Sequence, residues 1–209
     1  VLAASGLAGG FTLIKVCAFY TNTYYCNLAS RLSLSLNKHW SGPYEITKVK
    51  GPANWKEAVG YKPLFILDCL VHSACEGILY TDADSTLERA IPIQELTGDI
   101  AYHPFKRSPQ HTEEALTGTM YFKNTDKVKA FVLEWAQATA KWFGTDTPEQ
   151  QSFIECLAKS DLEVQKLGPE WCFIFDDMRE LHPDAKEIFL HHQASRTFRR
   201  LEMEGKTEE

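Results

Sequence analysis

An alternation constrains this chain more than any other feature. Three short strand-like segments, Phe11 to Tyr20 (FTLIKVCAFY), Tyr44 to Val49 and Ile78-Leu79-Tyr80, are separated by two segments of helical character. Phe11 to Tyr20 is β-branched and apolar on both faces, which predicts a strand buried on both sides in a largely parallel sheet. Leu28, Leu32, Leu36 and Trp40 recur every four residues, the period of a helix with one buried face, until Gly42-Pro43 ends it. Asn54 to His72 resumes a helical pattern, interrupted around Gly60 and Pro63. Strand, helix, strand, helix, strand predicts an α/β layer fold, a single domain with a mostly parallel central sheet flanked by helices. Such folds hold their ligands at the carboxyl ends of the strands.

The third run ends in Asp82 and Asp84, one residue apart in GILYTDADSTLERA. Extended residues at i and i+2 point the same way, so two carboxylates there can face one hard cation such as Mg²⁺ or Mn²⁺. Asp and Ser are equally ordinary turn residues that bond their own backbone, so the segment by itself reads as metal site or turn. A third ligand is offered by His191 or His192, which follow the late apolar run Ile188 to His191. Neighbours in a strand face opposite sides, so only one of the two can reach the same ion.

Downstream, Thr117 to Phe122 (TGTMYF) predicts another short strand. Val128, Phe131, Val132, Trp135 and Trp142 then mark one face of a long helix. Thr147-Pro148-Glu149-Gln150 has the form of a helix start, with Thr147 as N-cap, Pro148 first and Gln150 at the capping-box position. At 209 residues, with 44% apolar and 24% charged side chains, the chain suits one domain with a substantial core. The expected division is a small-residue leader at 1–10, a catalytic domain at 11–200 and a charged tail at 201–209. No apolar stretch approaches the ~20 residues that span a bilayer, and no signal peptide is evident at Val1 to Gly10. Six cysteines without a CxxC pair point to free thiols in a reducing cytoplasm rather than zinc or disulfides. A net charge of −6 argues against whole-surface binding of nucleic acid.

Asp82-Ala83-Asp84-Ser85-Thr86 also fits the DxDxT signature of haloacid dehalogenase-like phosphatases, in which the first aspartate is a nucleophile and forms an aspartyl phosphate. Asp176-Asp177 would imitate their later acidic motif. That signature normally lies on the first strand of its domain, whereas here a strand-helix-strand-helix unit precedes it.

Four segments in order resemble the GT-A glycosyltransferases, in particular the small phage and bacterial nucleotide-diphospho-sugar transferases. They are Thr21-Asn22-Thr23-Tyr24 through Ala29 and Leu32, Tyr80 to Ser85, Leu116 to Asn124, and His191-His192-Gln193-Ala194-Ser195-Arg196. The resemblance spans Phe11 to Arg200 and implies a Rossmann-like GT-A fold. It further implies a metal-dependent enzyme that moves a sugar from a nucleoside diphosphate, UDP above all, to an acceptor. By position, Asp82, Asp84 and His191 hold Mn²⁺ or Mg²⁺ on the diphosphate, with Ala83 between the aspartates. Phe19, Tyr20 and Thr21 line base and ribose, Tyr24 or Tyr25 stacks on the base, and Lys62 and Arg196 meet the nucleotide. Thr117, Gly118 and Thr119 face the acceptor side, and Glu149, Gln150 and Gln151 surround the reacting sugar, with Glu149 as base. The family shows aspartate before glutamine at that place, so Glu149 is a departure. The acceptor is a saccharide or small molecule, or else a modified DNA base contacted by Lys106, Arg107, Arg196, Arg199 and Arg200. A non-catalytic nucleotide-sugar-binding module on the same fold is the remaining alternative.

Overall fold

The computed structural model describes residues 13–50, 52, 55–106, 110–142, 148–174 and 178–192. The leader, the tail, Arg196, Asp176, Asp177 and the N-cap Thr147 lie outside the described residues. Strand β1 (Ile14–Tyr20) leads to α1 (Thr23–His39), β2 (Tyr44–Lys48), α2 (Trp55–His72) and β3 (Gly77–Thr81). Then come β4 (Ser85–Leu87), β5 (Ile100–Phe105), β6 (Glu114–Lys123), α3 (Asp126–Thr139), α4 (Pro148–Leu157), β7 (Val164–Lys166), β8 (Phe173–Ile174) and β9 (Phe189–His191).

Six strands form the central sheet in the order β2-β1-β3-β6-β5-β7. β1 pairs in parallel with β2 and β3, and β5 with β7, while β6 runs against both β3 and β5. One strand is thus reversed in a sheet otherwise running one way. Parallel neighbours need crossovers, which α1 and α2 supply. The two faces of β1 bury different sets. Cys17 and Phe19 join Phe65, Ile66 and Leu70 of α2 with Trp135 of α3 and Phe153 of α4. Ile14, Val16 and Ala18 join Leu32 and Leu36 of α1 with Trp171 and Phe189. Burial on both faces is what made this strand uniformly apolar.

Local expectations shifted in four places. α1 stops at His39, and Trp40 is its extended cap at φ −127°, ψ 126°, so Trp40 is not part of the helical stripe. α2 runs unbroken through Gly60 and Pro63, both buried, because Phe65, Ile66, Cys69 and Leu70 anchor the turns beyond the proline. Proline removes one helical hydrogen bond, and packing of the apolar face offsets that loss. α3 ends at Thr139, and Trp142 belongs to a separate 3₁₀ turn, Ala140–Trp142. A second small sheet, β4-β9-β8, brings Leu87 and Phe189 into the cluster with Ile14, Val16 and Ala18 of β1. Among the described residues no helix is long and apolar enough to cross a membrane.

Candidate metal centre

β3 delivers its last residue, Thr81, at the centre of the sheet, and the chain turns back at once. Ser85 N–H donates to the Asp82 carbonyl at 3.0 Å and Ser85 Oγ donates to the same oxygen at 2.8 Å. Asp82 and Asp84 therefore sit in a tight turn rather than at successive outward positions of a strand, which corrects the extended i, i+2 geometry. Turn and metal cluster coexist. The Asp82 N–H bonds the Gly118 carbonyl at 2.8 Å, tying the turn to β6. β9 pairs antiparallel with β4, setting His191 opposite Ser85, and His192 N–H donates to the Asp84 carbonyl at 3.0 Å. A pairing across about a hundred residues of sequence thus brings a nitrogen of His191 and one oxygen each of Asp82 and Asp84 within 4.8 Å of one another.

Two carboxylates and an imidazole form a donor set suited to Mn²⁺ or a similar divalent ion. Burial holds the His191 imidazole down to about 4, against favourable attraction from Asp82, so at neutral pH it is the uncharged, ligating form. The other histidine faces elsewhere: His192 Nε2 lies 3.0 Å from Thr86 Oγ1. Gly118 makes room for the arrangement, since a Cβ there would stand 2.8 Å from His191 Cε1 and 3.1 Å from its Nδ1.

Beneath Asp82 lies a buried cation. Lys62, 3% exposed, has its Nζ 3.0 Å from Asp82 Oδ1 and donates to Thr117 O and Oγ1 at 3.0 and 3.2 Å. Its second countercharge is Glu149, 3.9 Å away and itself buried. Burial alone would lower the Lys62 ammonium, but attraction from Asp82 and Glu149 outweighs it and holds the group above its ordinary value. Tyr80 O–H donates to Asp82 Oδ1 at 2.7 Å, and its phenol is held protonated by burial and by that carboxylate. Burial pushes the Glu149 carboxyl up against the opposing pull of Lys62; Oε1 accepts from Thr117 Oγ1 at 3.1 Å, and the buried Oε2 has no hydrogen-bond partner among the described residues.

Several sequence-derived positions are thereby revised. Lys62, which the resemblance sets at the nucleotide, is buried and pairs with Asp82, a carboxylate of the candidate cluster. Glu149 meets Lys62 and Thr117 inside the protein rather than an open acceptor pocket. Thr117 and Thr119 are fully buried and spend their hydroxyls on Glu149 and His191, so only Gly118, between them, stays partly open. Phe19 packs against Tyr61, Phe65 and Tyr80, with ring centroids 5.8, 4.9 and 6.2 Å away, as a core residue. Tyr20, Thr21, Tyr24 and Tyr25 lie half-buried at the end of β1 and the start of α1, where Tyr24 and Tyr25 meet edge to face at 5.5 Å. Ala83 is buried in the aspartate turn, Gln150 is half-buried and Gln151 exposed on the first turn of α4, and Lys106 is exposed. Sequence reasoning missed Tyr80 as a partner of Asp82, and Thr81 and Cys172 beside the cluster. Tyr80 reaches Asp82 from two residues away and Thr81 adjoins it, while Cys172 comes to Gly118 from about fifty residues downstream.

No protein-family model matches the sequence, and no curated protein does. Among solved structures, one described as a glycosyltransferase involved in the glycosylation of the major capsid of PBCV-1 matches with a TM-score of 0.67. The match covers 92% of this chain and 99% of that one, at 14% identity. The two chains share a fold. At that identity the likeness concerns architecture.

Proposed function

We propose that this chain is a metal-dependent glycosyltransferase that moves a sugar from a nucleoside-diphosphate sugar, with UDP as the nucleotide, to a saccharide or small-molecule acceptor. The observation that carries the reading is the convergence of Asp82, Asp84 and His191 beyond the carboxyl end of β3, in a fold shared with a known glycosyltransferase. A divalent ion held there would neutralise charge on a departing diphosphate. The chain's own contribution is orientation. Lys62 and Tyr80 fix one oxygen of Asp82, leaving the other to the ion, and the β4–β9 pairing fixes His191. Tyr20, Thr21 and Tyr24 rim the base and ribose, and Arg196 meets the diphosphate. Gln150 and Gln151 flank the sugar, and the Gly118 backbone faces the acceptor side. Glu149 serves as inward countercharge to Lys62. The proposed domain comprises residues 11–200, acting in the cytoplasm.

The test is release of UDP from a panel of UDP-sugars with and without Mn²⁺. Turnover that requires Mn²⁺ and falls by at least a hundredfold in Asp82→Asn and Asp84→Asn is expected. Hydrolysis of a generic phosphomonoester with Mg²⁺, abolished by Asp82→Asn, would replace this reading with the phosphatase one. Donor binding without any hydrolysis or transfer would reduce it to a binding module.

A further inference from the structure

The metal reading leaves open which nitrogen of His191 meets the ion, and a row of buried hydroxyls decides it. Each hydroxyl has one proton to give. Ser85 Oγ lies 2.8 Å from the Asp82 carbonyl, an acceptor that cannot donate, so the Ser85 proton is committed there. Thr81 Oγ1 lies 2.7 Å from Ser85 Oγ and must therefore donate to it. Thr119 Oγ1, 3.3 Å from Thr81 Oγ1 in the longest link of the row, then donates to Thr81. What remains to Thr119 is an accepting lone pair, 2.8 Å from His191 Nε2. The competing arrangement, Thr119 donating to His191 Nε2, gives up the Thr119–Thr81 bond and leaves those two oxygens 3.3 Å apart with no proton between them, in a site where Thr81, Ser85 and Thr119 are all buried.

We propose that the Thr119-Thr81-Ser85 row, anchored on the Asp82 carbonyl, fixes His191 as the Nε2–H tautomer and thereby presents a bare Nδ1 to the cation. This rests on the metal reading above for its ligand and on hydrogen-bond direction for its tautomer. Gly118 leaves room for this ring orientation: the edge carrying Nδ1 and Cε1 lies against the glycine, where a Cβ would stand 3.1 Å from Nδ1 and 2.8 Å from Cε1. An imidazole whose other nitrogen is bound to a fixed acceptor is a better-oriented and more basic ligand. Thr119, Thr81 and Ser85 are accordingly positioning residues: none needs to touch donor or acceptor. One end of the row is Asp82 itself, so the backbone of one ligand and the ring of another are set by the same chain of bonds.

The experiment is a long-range ¹H–¹⁵N correlation spectrum of metal-free, ¹⁵N-histidine-labelled protein at neutral pH, with His191 assigned from the His191→Gln variant. A bare ring nitrogen resonates far downfield of a protonated one, so the tautomer is read directly. Wild type and Thr119→Ser should show Nε2 protonated and Nδ1 bare. Thr119→Val and Thr81→Val should show mixed tautomers and weaken Mn²⁺ binding, followed by electron paramagnetic resonance, about 10- to 100-fold. A wild-type spectrum with Nε2 bare overturns the proposal whatever the Thr119 and Thr81 variants do. So does an unchanged tautomer with unchanged Mn²⁺ affinity in Thr119→Val. Mn²⁺ bound alongside the opposite tautomer would sink this inference and leave the metal reading standing; the expected tautomer with no Mn²⁺ binding would sink both the ligation step here and that reading.

Discussion

Lys62 occupies a place where a lysine is rarely found, out of water and between two carboxylates. Removing one member of a buried charge cluster leaves the others uncompensated. Lys62→Met should therefore lower unfolding free energy by about 3–5 kcal/mol in urea titrations. A loss below about 1 kcal/mol, the range of surface pairs, would show that the cluster is not structurally coupled. Glu149→Gln should recover part of that loss in the Lys62→Met background, because it removes one of the two stranded charges. His191 gives a pH prediction with a definite sign. Its folded value is depressed to about 4 from 6.5, so the stability contributed by the neutral ring is present above pH 6.5 and lost as pH falls from 6.5 toward 4. The loss is on the order of 3 kcal/mol, and urea midpoints of wild type and His191→Gln should converge across that window. At the neighbouring Gly118, substitution by alanine would drive a methyl to 2.8 Å from His191 Cε1. Mn²⁺ affinity should then fall about 10-fold or more, as binding titrations would show, with a smaller effect on folding.

At the scale of elements, α1 shows how a period becomes a packing face. Ala29, Leu32 and Leu36 are buried while Leu34, half a turn away, is 70% exposed. Leu36→Ala should cost about 2–5 kcal/mol, whereas Leu34→Ala should stay within about 0.5 kcal/mol, both read from denaturant midpoints. The helix starts where Asn22 Oδ1 accepts from the Tyr25 N–H at 3.0 Å, a cap the sequence reading did not single out. α2 teaches the converse. Gly60 and Pro63 punctuate the sequence, but the helix continues because its apolar residues have somewhere to go on both sides of the proline. β4, three residues long, gave no signal of its own, whereas β9 falls within the late run Ile188 to His191; together they are the pair that brings His191 to the aspartates.

At the scale of the whole molecule, the sheet, the small second sheet and the buried cluster converge on one place, and a ligand there should be felt globally. Binding that favours the folded state stabilises it by about 2.7 kcal/mol at a hundred times the dissociation constant. For a domain of this size each kcal/mol corresponds to about 2–4 °C, so UDP with Mn²⁺ should raise the melting temperature by roughly 5–10 °C. Neither component alone should do as much, and Asp82→Asn should abolish the joint effect. A shift that ignores Mn²⁺ would detach nucleotide binding from the cluster.

The alternation of strands and helices through β3, the buried stripe of α1, the two aspartates after Tyr80 and the late run ending in His191 were all written in local periodicity and composition, because burial on one or both faces selects residue type directly. The reversal of β6, the short strands β4, β5 and β7, and the inward turn of Thr117, Thr119, Lys62 and Glu149 were decided only when distant segments paired. A strand as short as β4 or β7, or a single buried lysine, carries no periodic signal, and its partners lie from about twenty to a hundred residues away. Residue identity along the chain could name candidate ligand atoms; which of them share one site, and in what orientation, came from the sheet that joins them.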